Sequence, residues 1–151
     1  MNNYKRESMK IAIACDHAGF QYKNQLVEFF TQMGHEVKDY GCHSEDSMDY
    51  PDTAHPLAKA VENKDFNFGF TICGSGNGIT MTANKYQGIR AALCWTAEIA
   101  ELARLHNNAN ICGMPARFIS YEEAQAIAKV FISTDFEGGR HQTRIDKIPT
   151  K

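Results

Sequence analysis

The run Cys73-Gly74-Ser75-Gly76-Asn77-Gly78 places a thiol and a hydroxyl in a glycine-rich turn. A turn of this kind between a strand and a helix aims backbone N–H groups at an anion. A thiol has a pKa of about 8.5 in water, and a helix N-terminus lowers it. Cys73 could then take a proton from a carbon acid near neutral pH. The pattern is GxGxG rather than GxGxxG, and no acidic residue closes a second strand where a ribose would need one. It also lacks the Lys-Ser/Thr pair of a nucleoside-triphosphate loop. The plain alternatives are a tight turn with no ligand and a Cys73 that is only a buried strand end.

Other residues could join this site. Asp16 and His17 follow the apolar run Lys10–Cys15. His106 falls where an apolar stripe meets a helix C-terminus, whose dipole favours the imidazolium and so a general acid. Arg117 follows a fifth strand. Arg140 and Arg144 are four apart and would share a helix face, and arginines forked onto one anion suit a phosphate. Each has a bland reading: a helix cap for Asp16, a surface imidazole for His17, a packed imidazole for His106, a solvated tail for the two arginines. His35, His43, His55 and His141 show no ligand spacing, so no metal is expected.

These groups need a frame. The apolar run Ile11-Ala12-Ile13-Ala14 reads as a strand buried on both faces. Leu26, Val27, Phe30 and Met33 recur at helical spacing, and Gly34 suits the end of that helix. His35–Tyr40 reads as a second strand and 41–50 as a polar loop. A helix should start between Pro51 and Pro56, late or with a kink, because Pro56 fits a first turn better than an interior. Strand three is Phe68–Cys73, followed by a helix from about Gly76 to Tyr86. Ile89–Cys94 is strand four. Thr96 caps the next helix, with Ile99, Leu102, Ala103 and His106 on one face and Asn107-Asn108 as its left-handed stop. Asn110–Gly113 is strand five. Ser120-Tyr121-Glu122-Glu123 is a capping box before the stripe Ala124, Ile127, Ala128, Phe131.

Alternating strands and helices predict an α/β/α sandwich around a five-stranded parallel sheet, with 2-1-3-4-5 as the expected order. Ligands bind outside the carboxyl ends of such strands where the winding reverses, here between strands one and three. That puts Asp16-His17 and Cys73–Gly78 on one crevice.

The chain has 151 residues, 43% hydrophobic and 23% charged, with a net charge of −2. This predicts one domain over 9–151 behind a loose extension, 1–8. The balance gives no broad basic field for nucleic acid or anionic membrane. No secretory core and no apolar stretch near the spanning length is present, so neither export nor membrane insertion is expected. Five cysteines, at 15, 42, 73, 94 and 112, show no zinc spacing and no Cys-x-x-Cys. Cys15, Cys94 and Cys112 read as buried free thiols, which suggests a reducing, cytoplasmic setting. Cys42-His43-Ser44 follows no assignable pattern.

From Met9 to about Ile148 the chain resembles the type B ribose-5-phosphate isomerases and the related galactose- and allose-6-phosphate isomerases. The likeness rests on Cys15-Asp16-His17-Ala18-Gly19, Asp49-Tyr50-Pro51-Asp52, Ile72-Cys73-Gly74-Ser75-Gly76, Ala83-Asn84-Lys85, Gly88-Ile89-Arg90-Ala91-Ala92, His106-Asn107-Asn108 and Glu137-Gly138-Gly139-Arg140-His141-Gln142, in this order. It implies a Rossmann- or flavodoxin-like fold, a homodimer or dimer of dimers with sites at the subunit interface, and no metal or organic cofactor. Cys73 would move a proton between C2 and C1, and His106 would open the furanose ring. Ser75 stands where the family usually has Thr and keeps the hydroxyl. Backbone N–H groups from Gly74 through Gly76 and Asn77 to Gly78 would face the enediolate. Asp16, His17 and Asn107 would hold sugar oxygens, and Arg117, Arg140 and Arg144 the phosphate, some from the second subunit. Asn77 replaces a small apolar residue often found in the loop, which bears on sugar length. Ribose 5-phosphate and ribulose 5-phosphate are the expected pair. The alternatives are another sugar phosphate, such as allose 6-phosphate or galactose 6-phosphate, and a non-catalytic sugar-phosphate-binding protein.

Overall fold

The structure, a computed structural model, describes residues 7–150. Residues 1–6 of the expected extension lie outside the described residues, and Glu7 and Ser8 are exposed coil ahead of the first strand. The strands are β1 (Lys10–Cys15), β2 (Glu36–Asp39), β3 (Phe68–Cys73), β4 (Ala91–Leu93) and β5 (Ile111–Pro115). The helices are α1 (Phe20–Gln32), α2 (Pro51–Glu62), α3 (Asn77–Ala83), α4 (Ala97–Asn107), α5 (Tyr121–Ser133) and α6 (Arg140–Ile145). A single 3-10 turn, His17–Gly19, leads from β1 into α1.

The period-2 alternation of β1 sets the thickness of the two helical layers. Ile11, Ile13 and Cys15 point to one face, where they join Leu26 and Phe30 of α1, Ala100 and Ala103 of α4, and Ile127 and Phe131 of α5. Ala12 and Ala14 point to the other, against Leu57, Ala58 and Val61 of α2 and Ala83 of α3. Large side chains therefore face the three-helix layer and small ones the two-helix layer. Every residue from Ile11 to Cys15 is fully buried, as a strand covered on both faces requires.

All strand pairings are parallel and the order is β2-β1-β3-β5-β4. The expected α/β/α sandwich is present, but its last two strands are exchanged. All five residues of β5 are buried, whereas the three of β4 are only half-buried. The shorter, wetter strand takes the edge, where unpaired backbone groups can meet water. Because of this exchange β3 lies between β1 and β5. Its own helix, α3, packs with α2 on one layer, while α1 and α5, which follow its neighbours, pack on the other. The winding reverses on both sides of β3, so the crevice at its carboxyl end opens to either side.

Local differences are as informative. α2 begins at Pro51 and continues through Pro56; Pro51 takes the first-turn place that needs no N–H. α3 ends at Ala83 rather than Tyr86, and β4 begins at Ala91 rather than Ile89. β5 runs one residue later at its start and two at its end than expected. Thr96 caps α4 by accepting the Ile99 N–H, and Asn108 has φ 45° and ψ 45°, the expected left-handed stop. The inward face of α4 is not the expected one: Ala100, Ala103 and Arg104 are buried, while Ile99 and Leu102 are exposed. Ser120 accepts the Glu123 N–H, but the Glu123 carboxylate turns to the Ala97 N–H. Half of the capping box thus ties α5 to the start of α4.

Candidate active site

Cys73 ends β3 opposite Pro115 of β5 and is 4% exposed, packed with Ala54 and Ile79. Gly76 follows at φ +75°, a left-handed conformation, and a side chain there would lie 2.5 Å from Leu93 Cδ1. Only glycine takes this turn freely. The Ser75 hydroxyl accepts the Asn77 N–H at 3.3 Å, so it sits at the mouth of α3 beside the thiol's strand. Asn77 is exposed. First-turn N–H groups of a helix have no intrahelical partner, and Gly78 lies in the first turn of α3.

The other members of this edge close around the loop. Asp16 is buried, its N–H donates to the Ile72 carbonyl at 3.1 Å, and its Oδ1 accepts the Ala18 N–H at 2.9 Å. It is thus both the cap of the 3-10 turn and a neighbour of the last residues of β3. His17 Nδ1 accepts the Met48 N–H at 3.3 Å, which leaves its Nε2 as the proton-bearing nitrogen of the neutral ring. The Arg117 N–H donates to the Gly74 carbonyl at 3.0 Å, and its guanidinium folds back over Gly74. Tyr50 was not singled out as a site residue. Its ring lies so close over Gly78 that any side chain there would collide with it. The Asp49-Tyr50-Pro51-Asp52 motif was the available signal: a proline-started helix fixes the residue just before it.

His106, Asn107, Arg140 and Arg144 are not on this edge. A helix that follows a parallel strand runs back toward the amino edge of the sheet, so the last turn of α4 lies beside the start of β5. The contacts agree. The Arg104 guanidinium stands 4.7 Å over the ring of Phe68, the first residue of β3. Cys73 is at the far end of that strand, roughly 16 Å away at about 3.3 Å per residue. The His106-Asn107-Asn108 turn is held by two arginines. Arg90 donates to the Asn107 and Asn108 carbonyls at 2.9–3.1 Å, and Arg104 to the Ala109 carbonyl at 2.6 Å and the Asn108 side chain at 2.9 Å.

α6 packs on the end of α4, with Arg140 and Arg144 one turn apart as expected. The rings of His106 and His141 stack at 4.4 Å with 16° between planes. Glu137 Oε2 lies 3.7 Å from His106 Nε2 and 4.0 Å from His141 Nε2. His141 is held below its usual 6.5 by loss of water contact first and the charge of His106 second. The three ligand atoms also fall within 4.8 Å of one another, a grouping the 35-residue separation in sequence conceals. The chain therefore carries two clusters of the expected site residues, on opposite edges of its sheet.

The fold is an open, doubly wound α/β sheet with a thiol, a glycine loop and an arginine at its reversal point. Residues 11–148 match the model of the Ribose/Galactose Isomerase family. Ribose-5-phosphate isomerase B of Escherichia coli (strain K12) is 40% identical over 139 residues, 92% of this chain and 93% of that one. A crystal structure of a ribose 5-phosphate isomerase from Thermotoga maritima is 48% identical, with a TM-score of 0.91 over 93% of this chain and 97% of that one. Ribose-5-phosphate isomerase B from Mycoplasma genitalium, solved with bound ribulose-5-phosphate, is 42% identical, with a TM-score of 0.89 over 92% and 93%. The chain belongs to the ribose/galactose isomerase family and is an isomerase. Among the described residues no helix is long and apolar enough to cross a membrane.

Proposed function

We propose that this protein interconverts ribose 5-phosphate and ribulose 5-phosphate in the cytoplasm, on sites shared between two copies of the chain. The observation that carries the reading is Cys73 closing β3 directly under the glycine loop, with Arg117 folded over that loop. His106 from the partner copy gives a proton to the ring oxygen and opens the furanose. The Cys73 thiolate removes the C2 proton, the electron pair passes to the C1 carbonyl oxygen, and a cis-enediolate forms. The O2 hydroxyl proton passes to O1, the same thiol returns its proton to C1, and the C2 carbonyl forms. The loop N–H groups and the Ser75 hydroxyl stabilise the negative oxygens as they develop, a contribution worth roughly 3–4 kcal/mol per donor in comparable sites. Asp16, His17 and Asn107 orient the hydroxyls. Arg117, with Arg140 and Arg144 of the second copy, holds the phosphate and so fixes the reacting carbons over Cys73.

The test is solvent exchange. Cys73→Ala should bind ribose 5-phosphate but lose exchange of the C2 proton with deuterium by about 10²–10⁴-fold. Exchange at the wild-type rate would remove Cys73 as the base. The exposed Asn77 in the loop favours a second reading, a longer sugar phosphate. Purified protein assayed on ribose 5-phosphate, allose 6-phosphate and galactose 6-phosphate decides between them. Good turnover of allose 6-phosphate beside none of ribose 5-phosphate would make the second reading correct.

A further inference from the structure

Cys15 and Cys42 take no part in the chemistry above. The fold nevertheless brings them into contact. Cys15 closes β1 and Cys42 follows β2 after Gly41. The Cys15 N–H donates to the Gly41 carbonyl at 2.7 Å, and the Cys42 N–H donates to the Cys15 carbonyl at 3.1 Å. With the two backbones bonded to each other, their Sγ atoms lie 3.7 Å apart. A disulfide needs about 2.05 Å between sulfurs, so bonding must draw the two sulfurs closer. The anchor beneath is firm. Lys23, 1% exposed, pairs with Asp39 at 2.7 Å, and Asp39 accepts the Gly41 N–H at 2.8 Å.

The two thiols differ in access. Cys15 is fully buried, and burial pushes its pKa well up, with the charge of Lys23 pulling weakly the other way. Cys42 is 9% exposed at the root of a loop whose residues His43 to Ser47 are all exposed. A small solute meets Cys42 first, and Cys15 waits behind it with its proton on.

We propose that Cys15 and Cys42 are a peroxide-sensitive dithiol that closes to a reversible disulfide and loosens the sugar-binding edge. The Cys42 thiolate attacks one peroxide oxygen, the O–O bond breaks, and the departing hydroxide takes up the thiol's proton to leave as water. Cys42 is then a sulfenic acid. The Cys15 sulfur attacks the Cys42 sulfur, the S–O bond breaks, and the hydroxyl leaves as a second water with the Cys15 proton. Two thiols are oxidised by two electrons and one peroxide is reduced. The coupling to the site runs through bonded neighbours. Asp16 follows Cys15, and the Cys15 carbonyl accepts the Thr53 hydroxyl at 2.9 Å. The loop from Cys42 carries Met48, bonded to His17, and ends at Tyr50 over Gly78.

The first experiment uses the full-length Cys73→Ser protein, which removes the other reactive thiol, treated with hydrogen peroxide and digested with trypsin. The expected product is the peptide 11–23 linked to 39–59, two hydrogens lighter than the pair and separated by dithiothreitol. The link should be absent from Cys73→Ser/Cys42→Ser. Thiols left reduced, Cys42 oxidised further without a link, or a link to another cysteine would each overturn the bond. The second compares wild type with Cys42→Ser after diamide, and its reading as KM rests on the isomerase assignment. Wild type should show a several-fold rise in KM for ribose 5-phosphate that dithiothreitol reverses, and Cys42→Ser should not. Equal responses of the two proteins would overturn the coupling. Failure of the isomerase assignment would show separately, as no turnover before oxidation, with the peptide result unaffected.

Discussion

At the scale of single residues, the glycine loop is set by backbone geometry more than by any side chain. Gly76 combines a φ of +75° with Leu93 and the Met114 backbone at 2.5–3.1 Å from where a side chain would begin. Gly76→Ala should cost about 1–3 kcal/mol of stability, read by denaturant unfolding. Because the loop turns at this residue, kcat should fall by more than the KM changes. His35 gives a second prediction. Its ring is buried, its Nδ1 accepts the Met9 N–H at 3.0 Å, and burial holds its pKa below 6.5. The folded state thus prefers the neutral ring, while the unfolded chain protonates near 6.5. The contribution of His35 is complete above pH 6.5 and is lost as pH falls through the depressed folded value. Stability measured from pH 7.5 to 5 should decline with a steeper slope in the wild type than in His35→Gln.

At the scale of elements, α4 shows what periodicity can and cannot give. A helix over this stretch, its Thr96 cap and its Asn108 stop were all legible, since each depends on local residue types. Its inward face was not. Ile99 and Leu102 look like the core side, yet the buried side is Ala100, Ala103 and Arg104. Small residues let α4 lie against α5, and the Arg104 guanidinium is stacked on Phe68 and, at 5.7 Å, on Phe131. By contrast the stripe Ala124, Ile127, Ala128, Phe131 of α5 is fully buried as read, with Phe131 set edge-on against Phe68 and Phe70 of β3. The exchange of β4 and β5 could not be read from strand identity alone; the weak apolar character of Arg90-Ala91-Ala92-Leu93 was the available hint of an edge. Arg104→Met keeps the stem and removes the donors to Thr134, Asn108 and Ala109. It should cost on the order of 3 kcal/mol, since hydrogen bonds from a charged donor are lost and carbonyls are left buried. Urea unfolding checks the value, and a change below about 0.5 kcal/mol would show that the Arg104 bonds are dispensable.

At the scale of the whole molecule, the glycine turn after Cys73 was legible because its residues are contiguous and directly follow a strand. That His106 belongs to the opposite edge was also implicit, since every crossover helix of a parallel sheet finishes at the amino side. The proposed shared site follows from this separation, and a mixing experiment tests it. Coexpressed Cys73→Ala and His106→Asn chains would form a mixed dimer with one doubly damaged site and one intact site. Random pairing would then restore roughly a quarter of wild-type activity. No recovery would mean that each site is built within one chain. The exposed pair Trp95 and Phe118, with ring centroids 5.4 Å apart, and the outward Ile99 and Leu102 give the surface apolar area that such pairing would cover.

The roughly 16 Å of sheet between the two halves also has a meaning for the cell that holds the protein. On the proposed shared site, a lone chain would carry a base without its acid and an acid without its base. Turnover then counts encounters rather than molecules. Below the dissociation constant of the pair, halving the protein concentration should quarter the flux, so dilution alone acts as an off state that needs no inhibitor.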